Sequence, residues 1–266
     1  MTPAMTFRSL IKSALYPIYE RRLVSKLDLT RTPHHIGVIL DGNRRWAKEN
    51  PSVTGDTSSS RGHRAGAEKI IELLTWCEET EINVVTLWLL SSDNLKRTPE
   101  EVQSLIAIIG QTVEALSSTG RWKIHPVGSL DLLPEELRLQ LKAAESKTAG
   151  IPGITVNVAI GYGGRIEIVD AVKSYMHEAK SAGKDLSAAA DELSAQSIDR
   201  YLYTAGQPDP ELVIRTSGEQ RLGGFLLWQS HQSEFYFCEA YWPDFRRVDF
   251  LRALRSYAAR ERRLGK

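Results

Sequence analysis

The segment His35-Ile36-Gly37-Val38-Ile39-Leu40-Asp41-Gly42-Asn43-Arg44-Arg45-Trp46 is an apolar run that ends abruptly in an acid, a glycine, an amide and two arginines. The run predicts a buried strand, and in an open α/β sheet ligands bind beyond the carboxyl ends of the strands. Asp41 offers hard oxygen ligands to a divalent metal, while Arg44 and Arg45 carry donor forks that suit phosphate oxygens. The segment therefore indicates a diphosphate site. Taken alone, it is equally compatible with a capping turn before a solvated basic helix.

The composition is that of an ordinary globular protein and excludes some partners. The 266 residues are 42% hydrophobic and 25% charged, and α/β chains of this length often form one domain. Because the formal net charge is only +1, we expect no nucleic-acid partner and an anion site that is built locally. Cys77 and Cys238 match no metal or redox spacing. With no evident signal peptide or membrane-spanning run, we expect a reducing, cytoplasmic location.

Strands and helices alternate along the chain after Pro33. Strands are predicted at Ile36–Leu40, Asn83–Leu90, Lys123–Val127, Ile154–Ile160 and Leu212–Ile214, with short segments at Phe225–Trp228 and Glu234–Phe237. Helices are predicted at His63–Thr80, from Pro99, at Pro134–Lys147, Arg165–Ala182 and Ser197–Tyr203, and from Val248. This alternation predicts an α/β fold with a central, mostly parallel sheet surrounded by helices. No linker is evident, so residues 31–266 are predicted to be one domain.

Residues 1–30 are predicted to hold an amphipathic helix, from about Phe7 to Leu27, whose apolar stripe is surrounded by basic residues. We expect this helix to pack on the domain or on a partner chain. A basic amphipathic helix can instead lie on an anionic membrane surface, which would put the protein at the inner face of the membrane.

Four polar loops follow predicted strands and repeat the same residue types. They are Asp41–Trp46, Ser91–Arg97, Gly161–Arg165 and Arg215–Arg221. Their glycines permit close backbone approach, and helix N-termini attract anions. His63, which Arg61 and Arg64 flank, is predicted to donate to a phosphate near a helix start; its alternative role is a helix cap. Together, the loops indicate one anion site at one edge of the sheet.

The same residues carry a resemblance to a known family. The motifs occur in its order and spacing: Asp41-Gly42-Asn43-Arg44-Arg45-Trp46-Ala47, Gly62-His63, Ser91-Ser92-Asp93-Asn94, Tyr162-Gly163-Gly164-Arg165, Arg215-Thr216-Ser217-Gly218-Glu219, Trp228-Gln229, Glu234 and Trp242-Pro243-Asp244-Phe245. From about His35 to its end, the chain resembles the cis-prenyltransferases of the undecaprenyl diphosphate synthase family. It is most similar to the short-chain actinobacterial (2Z,6E)-farnesyl diphosphate synthases. The resemblance implies the cis-prenyltransferase fold, a homodimer, and Mg²⁺-dependent condensation of isopentenyl diphosphate with an allylic diphosphate, here geranyl diphosphate.

The resemblance also implies site roles. Asp41 would be the catalytic carboxylate that acts with Mg²⁺, and Glu234 would be a second metal ligand. The allylic diphosphate would be surrounded by Gly42, Asn43, Arg44, Arg45 and His63. Isopentenyl diphosphate would be bound by Arg215 and Arg221, and Ser91, Asn94 and Arg97 would lie between the substrates. Further predicted binding residues are Trp46, Ser92, Asp93, Leu95, Leu222, Gly223 and Arg263.

Asn94 has a catalytic role in the family, where proton removal is assigned to its position. An amide is a poor base, so we expect Asn94 to orient the substrate while released diphosphate or a water accepts the proton.

Several positions depart from the family pattern. Ser59 stands where many members have arginine, which leaves Arg61 or Arg64 as substitutes. Gly223 replaces a hydroxyl residue, so one phosphate contact is expected to be lost. The other departures are Asp93, Leu95 and Gly161.

The C-terminal Arg263-Leu264-Gly265 fits a family motif that reaches across the dimer to substrate phosphate. A frayed basic tail is the other interpretation.

Leu89 is predicted to set product length, because long-chain members carry a small residue at this position. Each methylene of a growing prenyl tail gains roughly 0.8 kcal/mol on burial, so the length of the tunnel rather than affinity should stop growth. A tunnel closed by Leu89 favours a C15 product. If Leu89 is only a core leucine, a long-chain C50–C55 synthase is the alternative.

Two functions of other classes remain as alternatives. A non-catalytic partner subunit would generally have lost the strand-end aspartate, whereas Asp41 is retained. A phosphohydrolase that uses Asp41 as nucleophile would usually carry a second acid two residues on, where Asn43 stands.

Overall fold

The computed structural model describes residue 16 and residues 19–25 and 27–260. Within these residues the strands form one six-stranded sheet in the order β3-β4-β2-β1-β5-β6, and every neighbouring pair is parallel. The strands are β1 (His35–Ile39), β2 (Val84–Ser91), β3 (Lys123–Val127), β4 (Thr155–Tyr162), β5 (Leu212–Arg215) and β6 (Glu234–Phe237). The predicted α/β fold, a single domain with a parallel sheet, is confirmed.

Helices surround this sheet. They are α1 (Asn43–Glu49), α2 (Ser59–Glu79), α3 (Pro99–Ser118), α4 (Glu135–Thr148), α5 (Gly164–Ser181), α6 (Leu186–Glu192), α7 (Ala195–Asp199) and α8 (Arg247–Ala259). Local chemistry fixes the helix starts next to the sheet. The Ser58 hydroxyl accepts from the Arg61 N–H at the start of α2, and Thr98 caps α3 ahead of Pro99.

Both faces of the four inner strands are largely buried, which is why these strands are mainly apolar rather than alternating. All five residues of β1 are buried. On one face Leu87 and Val158 belong to a large core packed against α2, α3 and α4, and on the other face Ile39 and Phe225 belong to a smaller aromatic core. Polar side chains at the ends of these strands are therefore exceptions that core packing does not account for.

The polar loops gather at the carboxyl edge of the sheet because the strands are parallel. Ile39 is in register with Trp88 of β2 on one side and with Arg215 of β5 on the other. The chain leaves β1 towards β2 and returns later as β5, so a crevice opens where the strand order reverses. Asp41 lies at this crevice.

Two compensating bulges interrupt the pairing of β2 with β4. Trp88 pairs with Ala159 and Leu90 with Ile160, so Leu89 has no partner; Ser91 then pairs with Tyr162, which leaves out Gly161. Gly161 has a φ of 61°, a left-handed conformation that glycine and asparagine tolerate best. A bulged residue can re-aim its side chain, and Leu89 consequently borders a cavity.

The described part of the N-terminal segment packs against α8. Leu23 is buried with Val248 and Leu251, and Glu20 forms an ion pair with Arg247. Residues 1–15, 17, 18 and 26, which contain most of the predicted amphipathic helix, lie outside the described residues. In the part of the chain that is described, no helix is long and apolar enough to cross a membrane.

Candidate active site

A polar cavity of about 590 Å³ opens at the carboxyl ends of β1, β2 and β5. It brings together most of the predicted site residues: Asp41, Gly42, Asn43, Arg44, Arg45, His63, Leu89, Ser91, Asn94, Arg97, Arg215, Arg221 and Gly223. An open cavity of about 700 Å³ beside Tyr241 is lined by three acids, Glu49, Glu239 and Asp244, but by only two cations, Lys69 and Arg246. A diphosphate needs a surplus of cations, so we place the anion site in the arginine-lined cavity.

A small apolar cavity of about 50 Å³ adjoins the polar one. It lies between β2, α2 and α3, and Leu89, Leu105 and Ile70 are part of its lining. His63 borders both cavities. The arrangement fits a ligand with a charged head and a short apolar tail.

The Asp41 carboxylate is held by donors from three directions. Its Oδ2 accepts from Nη2 of Arg215 at 2.8 Å, its Oδ1 accepts from the Gly42 N–H at 2.7 Å, and Arg45 Nη2 lies 3.5 Å from Oδ1. Burial raises the pKa of Asp41, but the hydrogen bond and charge of Arg215 outweigh it and bring the pKa below its ordinary value. The carboxylate is therefore ionised at neutral pH.

The turn after Asp41 is rigidly fixed. Gly42 has a φ of 102°, and a Cβ there would lie 2.7 Å from the Tyr241 ring and 3.1 Å from Cβ of Ser217, so only glycine fits. Oγ1 of Thr216 donates to the Asp41 carbonyl at 2.7 Å and accepts from the Asp41 N–H at 3.0 Å. The site is thus preorganised by the loop that follows β5.

Glu101, in the first turn of α3, pairs with two arginines of the cavity. Its Oε1 lies 2.7 Å from Nη1 of Arg97 and 3.6 Å from Nη1 of Arg44. Nothing in the sequence distinguishes Glu101 as a site residue, because acids in a first helical turn are accounted for by the helix dipole.

Glu219 plays the same part on the opposite side of the cavity. It forms ion pairs with Arg45, at 3.4 Å, and with Arg221. The arginines of the cavity still outnumber its carboxylates, and each one is oriented by an acid before any ligand arrives. Glu219 was present in the quoted loop motif but was not predicted as a site residue.

His63 lies near the start of α2 with its ring against the cavity. Burial, together with the charges of Arg97 and Arg44, lowers its pKa to about 4 against the opposing effects of Glu101 and of the Ser59 backbone. The imidazole is therefore neutral at physiological pH and has one N–H, for which the Ser59 carbonyl and a phosphate oxygen would compete.

Neither arginine beside Ser59 faces the cavity. Arg61 donates to the carbonyl of Asn50 and stacks over the Trp46 ring, 4.6 Å from its centroid. Arg64 is exposed to solvent. The substitution of the missing arginine by Arg61 or Arg64 is therefore not seen, and Trp46, predicted as a binding residue, is covered by Arg61 instead of lining the cavity.

Four further predicted binding residues also lie outside the cavity. Asp93 pairs with Lys96 at the surface, and Ser92 packs against Gly163. Leu95 packs on the main core, and Leu222 packs on the aromatic core. These four side chains contact other parts of the fold rather than lining the polar cavity.

Within the described chain, the structure does not bring the predicted metal ligand Glu234 next to Asp41. Glu234 begins β6 and is in register with Leu212 at the start of β5, whereas Asp41 follows the end of β1. The two carboxylates therefore lie at opposite edges of the sheet, and Glu234 pairs with Arg260. Spacing along a sequence does not tell which end of a strand a residue occupies. Arg263 lies outside the described residues.

Comparisons with known proteins agree with this geometry. Residues 39–265 match the family model described as putative undecaprenyl diphosphate synthase. A (2Z,6E)-farnesyl diphosphate synthase of Thermobifida fusca is 56% identical over 96% of this chain and 99% of that protein. Isoprenyl transferase 1 of Streptomyces avermitilis is 54% identical over 98% of this chain and 100% of that protein.

Two further similar proteins have names that specify a product length or a bound ligand. A short-chain Z-isoprenyl diphosphate synthase of Mycobacterium leprae is 49% identical over 96% of this chain and 97% of that protein. The crystal structure of lavandulyl diphosphate synthase from Lavandula x intermedia, in complex with dimethylallyl diphosphate, superimposes with a TM-score of 0.80 at 31% identity, covering 88% of this chain and 98% of that one.

Proposed function

The chain belongs to the undecaprenyl diphosphate synthase family and is an isoprenyl transferase of the cis-prenyl type, and we propose that it condenses isopentenyl diphosphate with geranyl diphosphate to (2Z,6E)-farnesyl diphosphate. The observation that carries the proposal is the pair of joined cavities. One is polar and lined by arginines around an ionised Asp41, and the other is apolar, about 50 Å³ and bordered by Leu89.

The donor set around Asp41 fits Mg²⁺. Mg²⁺ is usually held by one or two carboxylates together with substrate phosphates and water, and Asp41 is an ionised carboxylate in a cavity that can also take a diphosphate. Among the described residues no three acids, histidines or cysteines cluster as a self-sufficient metal site. When bound, Mg²⁺ would neutralise charge that develops on the leaving diphosphate.

The residues of the cavity would stabilise ionisation of the allylic substrate. Breaking its C–O bond separates a carbocation from a diphosphate anion, and Arg44, Arg45 and neutral His63 are fixed donors on that side of the cavity. On the other side, Arg215 and Arg221 would hold the diphosphate of isopentenyl diphosphate. Glu101 and Glu219 orient these guanidinium groups until phosphate oxygens take their place.

Asn94 would position the second substrate rather than take its proton. Its Oδ1 accepts from Nη2 of Arg97 at 2.8 Å, which leaves the amide N–H₂ as the group that faces a ligand. The isopentenyl double bond attacks the allylic carbon, and the proton then lost goes to the released diphosphate or to a water.

Leu89 would limit product length. The bulge in β2 places it beside Leu105 and Ile70 at the small apolar cavity, which has little room for further prenyl units. The narrowness of this cavity favours a short product, and the names of the similar short-chain enzymes support a C15 product.

The partner and location remain proposals. We expect a homodimer, because β6 is an edge strand whose Phe235, Tyr236 and Phe237 are incompletely buried, and exposed edge strands pair readily. Sedimentation at micromolar concentration tests this. We place the enzyme in the cytoplasm, where residues 1–30 could contact the inner face of the membrane; vesicle flotation of the full chain tests that contact.

The deciding experiment is incubation with labelled isopentenyl diphosphate, Mg²⁺ and either geranyl or (E,E)-farnesyl diphosphate, followed by chain-length analysis. A single C15 product from geranyl diphosphate supports the proposal. A ladder of products up to C50–C55 would support the condensation reaction but contradict the proposed C15 product length. No product with either primer supports a non-catalytic partner subunit.

A further inference from the structure

Trp88 occupies a place that no motif accounts for. It lines both the polar and the apolar cavity. It shares a row across the sheet with Ile39 and Arg215, and side chains in register project from the same face. The indole therefore stands on the same side of the sheet as the Arg215 guanidinium, whereas Leu89 borders the cavity from the main core.

The indole packs under the loop that follows β5. Its ring is stacked on Phe225 at a centroid distance of 5.2 Å. A Cβ on Gly223 would lie 3.4 Å from Cζ3 and 3.5 Å from Cη2 of Trp88, and 3.5 Å from Nη1 of Arg215. Cζ3 and Cη2 form the far edge of the indole, the part that phenylalanine lacks. A side chain at 223 would therefore lie in van der Waals contact with both this edge and the guanidinium.

The rest of the loop is anchored on either side of this contact. Nη1 of Arg215 donates to the carbonyl of Arg221, and the Gly164 N–H donates to the carbonyl of Gly224 at 2.8 Å. Between these anchors, the Trp88 ring is the support for Gly223, whose φ of 63° demands a left-handed backbone. Without the ring, the segment that carries Arg221 would lose the side chain against which Gly223 packs.

The choice of tryptophan itself points to a need for ring size. Nε1 of Trp88 is buried and has no hydrogen-bond partner among the described residues. A buried donor without an acceptor destabilises a fold, and phenylalanine would avoid that penalty. Tryptophan occupies this position although its N–H is unsatisfied, so the far edge of its ring is the part that matters for the contact with Gly223.

We propose that Trp88 is a positioning residue for the isopentenyl diphosphate half of the site: its indole edge, matched to glycine at 223, holds the loop so that Arg215 and Arg221 face the same diphosphate. The inference rests on the proposed function, which it refines. Glycine at 223 fits this role, because the φ of 63° favours glycine and a larger side chain would contact the indole.

The test is steady-state kinetics of Trp88→Phe in the full chain. We expect the KM for isopentenyl diphosphate to rise about tenfold while the KM for geranyl diphosphate stays within about twofold. A purely structural role would lower the active fraction, and hence kcat, without separating the two KM values. Equal KM values in variant and wild type would overturn the proposal.

A double-mutant cycle keeps the proposal testable if Trp88→Phe folds poorly. Gly223→Ala should raise the KM for isopentenyl diphosphate in the wild type, where the methyl would contact both the indole and the Arg215 guanidinium, and raise it less beside Trp88→Phe, where the contact with the indole edge is lost. Gly224→Ala is the matched control, because Gly224 also has positive φ but nothing within 4 Å of its Cβ position. Its effect should be the same in both backgrounds. Equal effects of Gly223→Ala in both backgrounds would refute the coupling.

Failure of this inference is separable from failure of the proposed function. If the wild type makes no prenyl product, the proposed function fails whatever Trp88 does. Calorimetric titration with isopentenyl diphosphate alone then still tests the role of Trp88. Trp88→Phe should weaken binding of this substrate about tenfold, and unchanged binding would overturn the inference.

Discussion

Replacement of Asp41 by alanine should abolish condensation and leave the fold intact. The change removes the hydrogen bonds that the carboxylate accepts from Arg215, at 2.8 Å, and from the Gly42 N–H, at 2.7 Å. The Asp41 side chain is 31% exposed but that of Arg215 only 7%, so the main penalty is a buried guanidinium that has lost its partner. We expect about 2 kcal/mol of destabilisation, because water can reach the vacated side and temper the penalty of a buried pair.

The loss of activity should be far larger than the loss of stability. The free energy of unfolding of natural domains is about 5–15 kcal/mol, so Asp41→Ala should remain folded. Removing a preorganised charge from the reacting centre typically lowers kcat by about 10²–10³ or more, and here the same change also removes the proposed Mg²⁺ ligand. Asp41→Asn is the matched control: it keeps an oxygen for the Gly42 N–H but loses the negative charge.

The assay is the initial rate of labelled isopentenyl diphosphate incorporation, with thermal unfolding measured on the same samples. Both variants should unfold within several degrees of the wild type while their rates fall by about a thousandfold. An Asp41→Ala protein that condenses at the wild-type rate would refute the mechanism. An Asp41→Asn protein with full activity would show that charge and metal binding at Asp41 are irrelevant.

Three further predictions concern the walls of the site. Leu89→Ala should lengthen the products, as seen by chain-length analysis, because it enlarges the apolar cavity; an unchanged distribution would make Leu89 a plain core residue. The pKa of His63 is lowered to about 4, mainly by burial. Between about pH 6.5 and 4 the unfolded chain therefore binds more protons than the folded one. The free energy of unfolding consequently falls as the pH falls through that window. His63→Gln should flatten this loss in thermal melts, and part of it should remain because burial also lowers the pKa of His35 to about 4; an identical pH profile would refute the assignment. Arg61→Ala should lower Tm by a few degrees, about 1 kcal/mol for a lost hydrogen bond and cation–π contact, and leave the KM for the allylic substrate unchanged; a raised KM would show that Arg61 does replace the arginine missing at Ser59.

Much of the sheet was predictable because parallel strands are apolar throughout. Lys123–Val127 and Glu234–Phe237 have the bounds that the sequence predicts. Helix α6 was not predicted, because Leu186–Glu192 buries only Ala189 and so has no apolar stripe. The segment Phe225–Trp228 is a series of turns rather than a strand, and Leu226 has a positive φ of 44°.

The centre of the site was predictable for a related reason. Strand-end loops meet at one edge, so Asp41, Arg215 and Asn94 are brought together as expected. What the sequence could not provide was register. Nothing local shows at which end of β6 Glu234 stands, and Trp88 has the pattern of another core residue of a buried strand.

The offsetting bulges at Leu89 and Gly161 have a consequence for insertions and deletions. Each strand carries one extra residue, so β2 and β4 return to step at Ser91 and Tyr162. Because Leu89 and Gly161 are the residues left out of the pairing, deleting either one would remove its bulge while Leu90 could still pair with Ile160 and Ser91 with Tyr162. Deleting a paired residue such as Leu87 would instead turn every later residue of β2 to the opposite face of the sheet. The ends of these two strands should therefore tolerate a deletion at a bulge better than a deletion in the regular ladder.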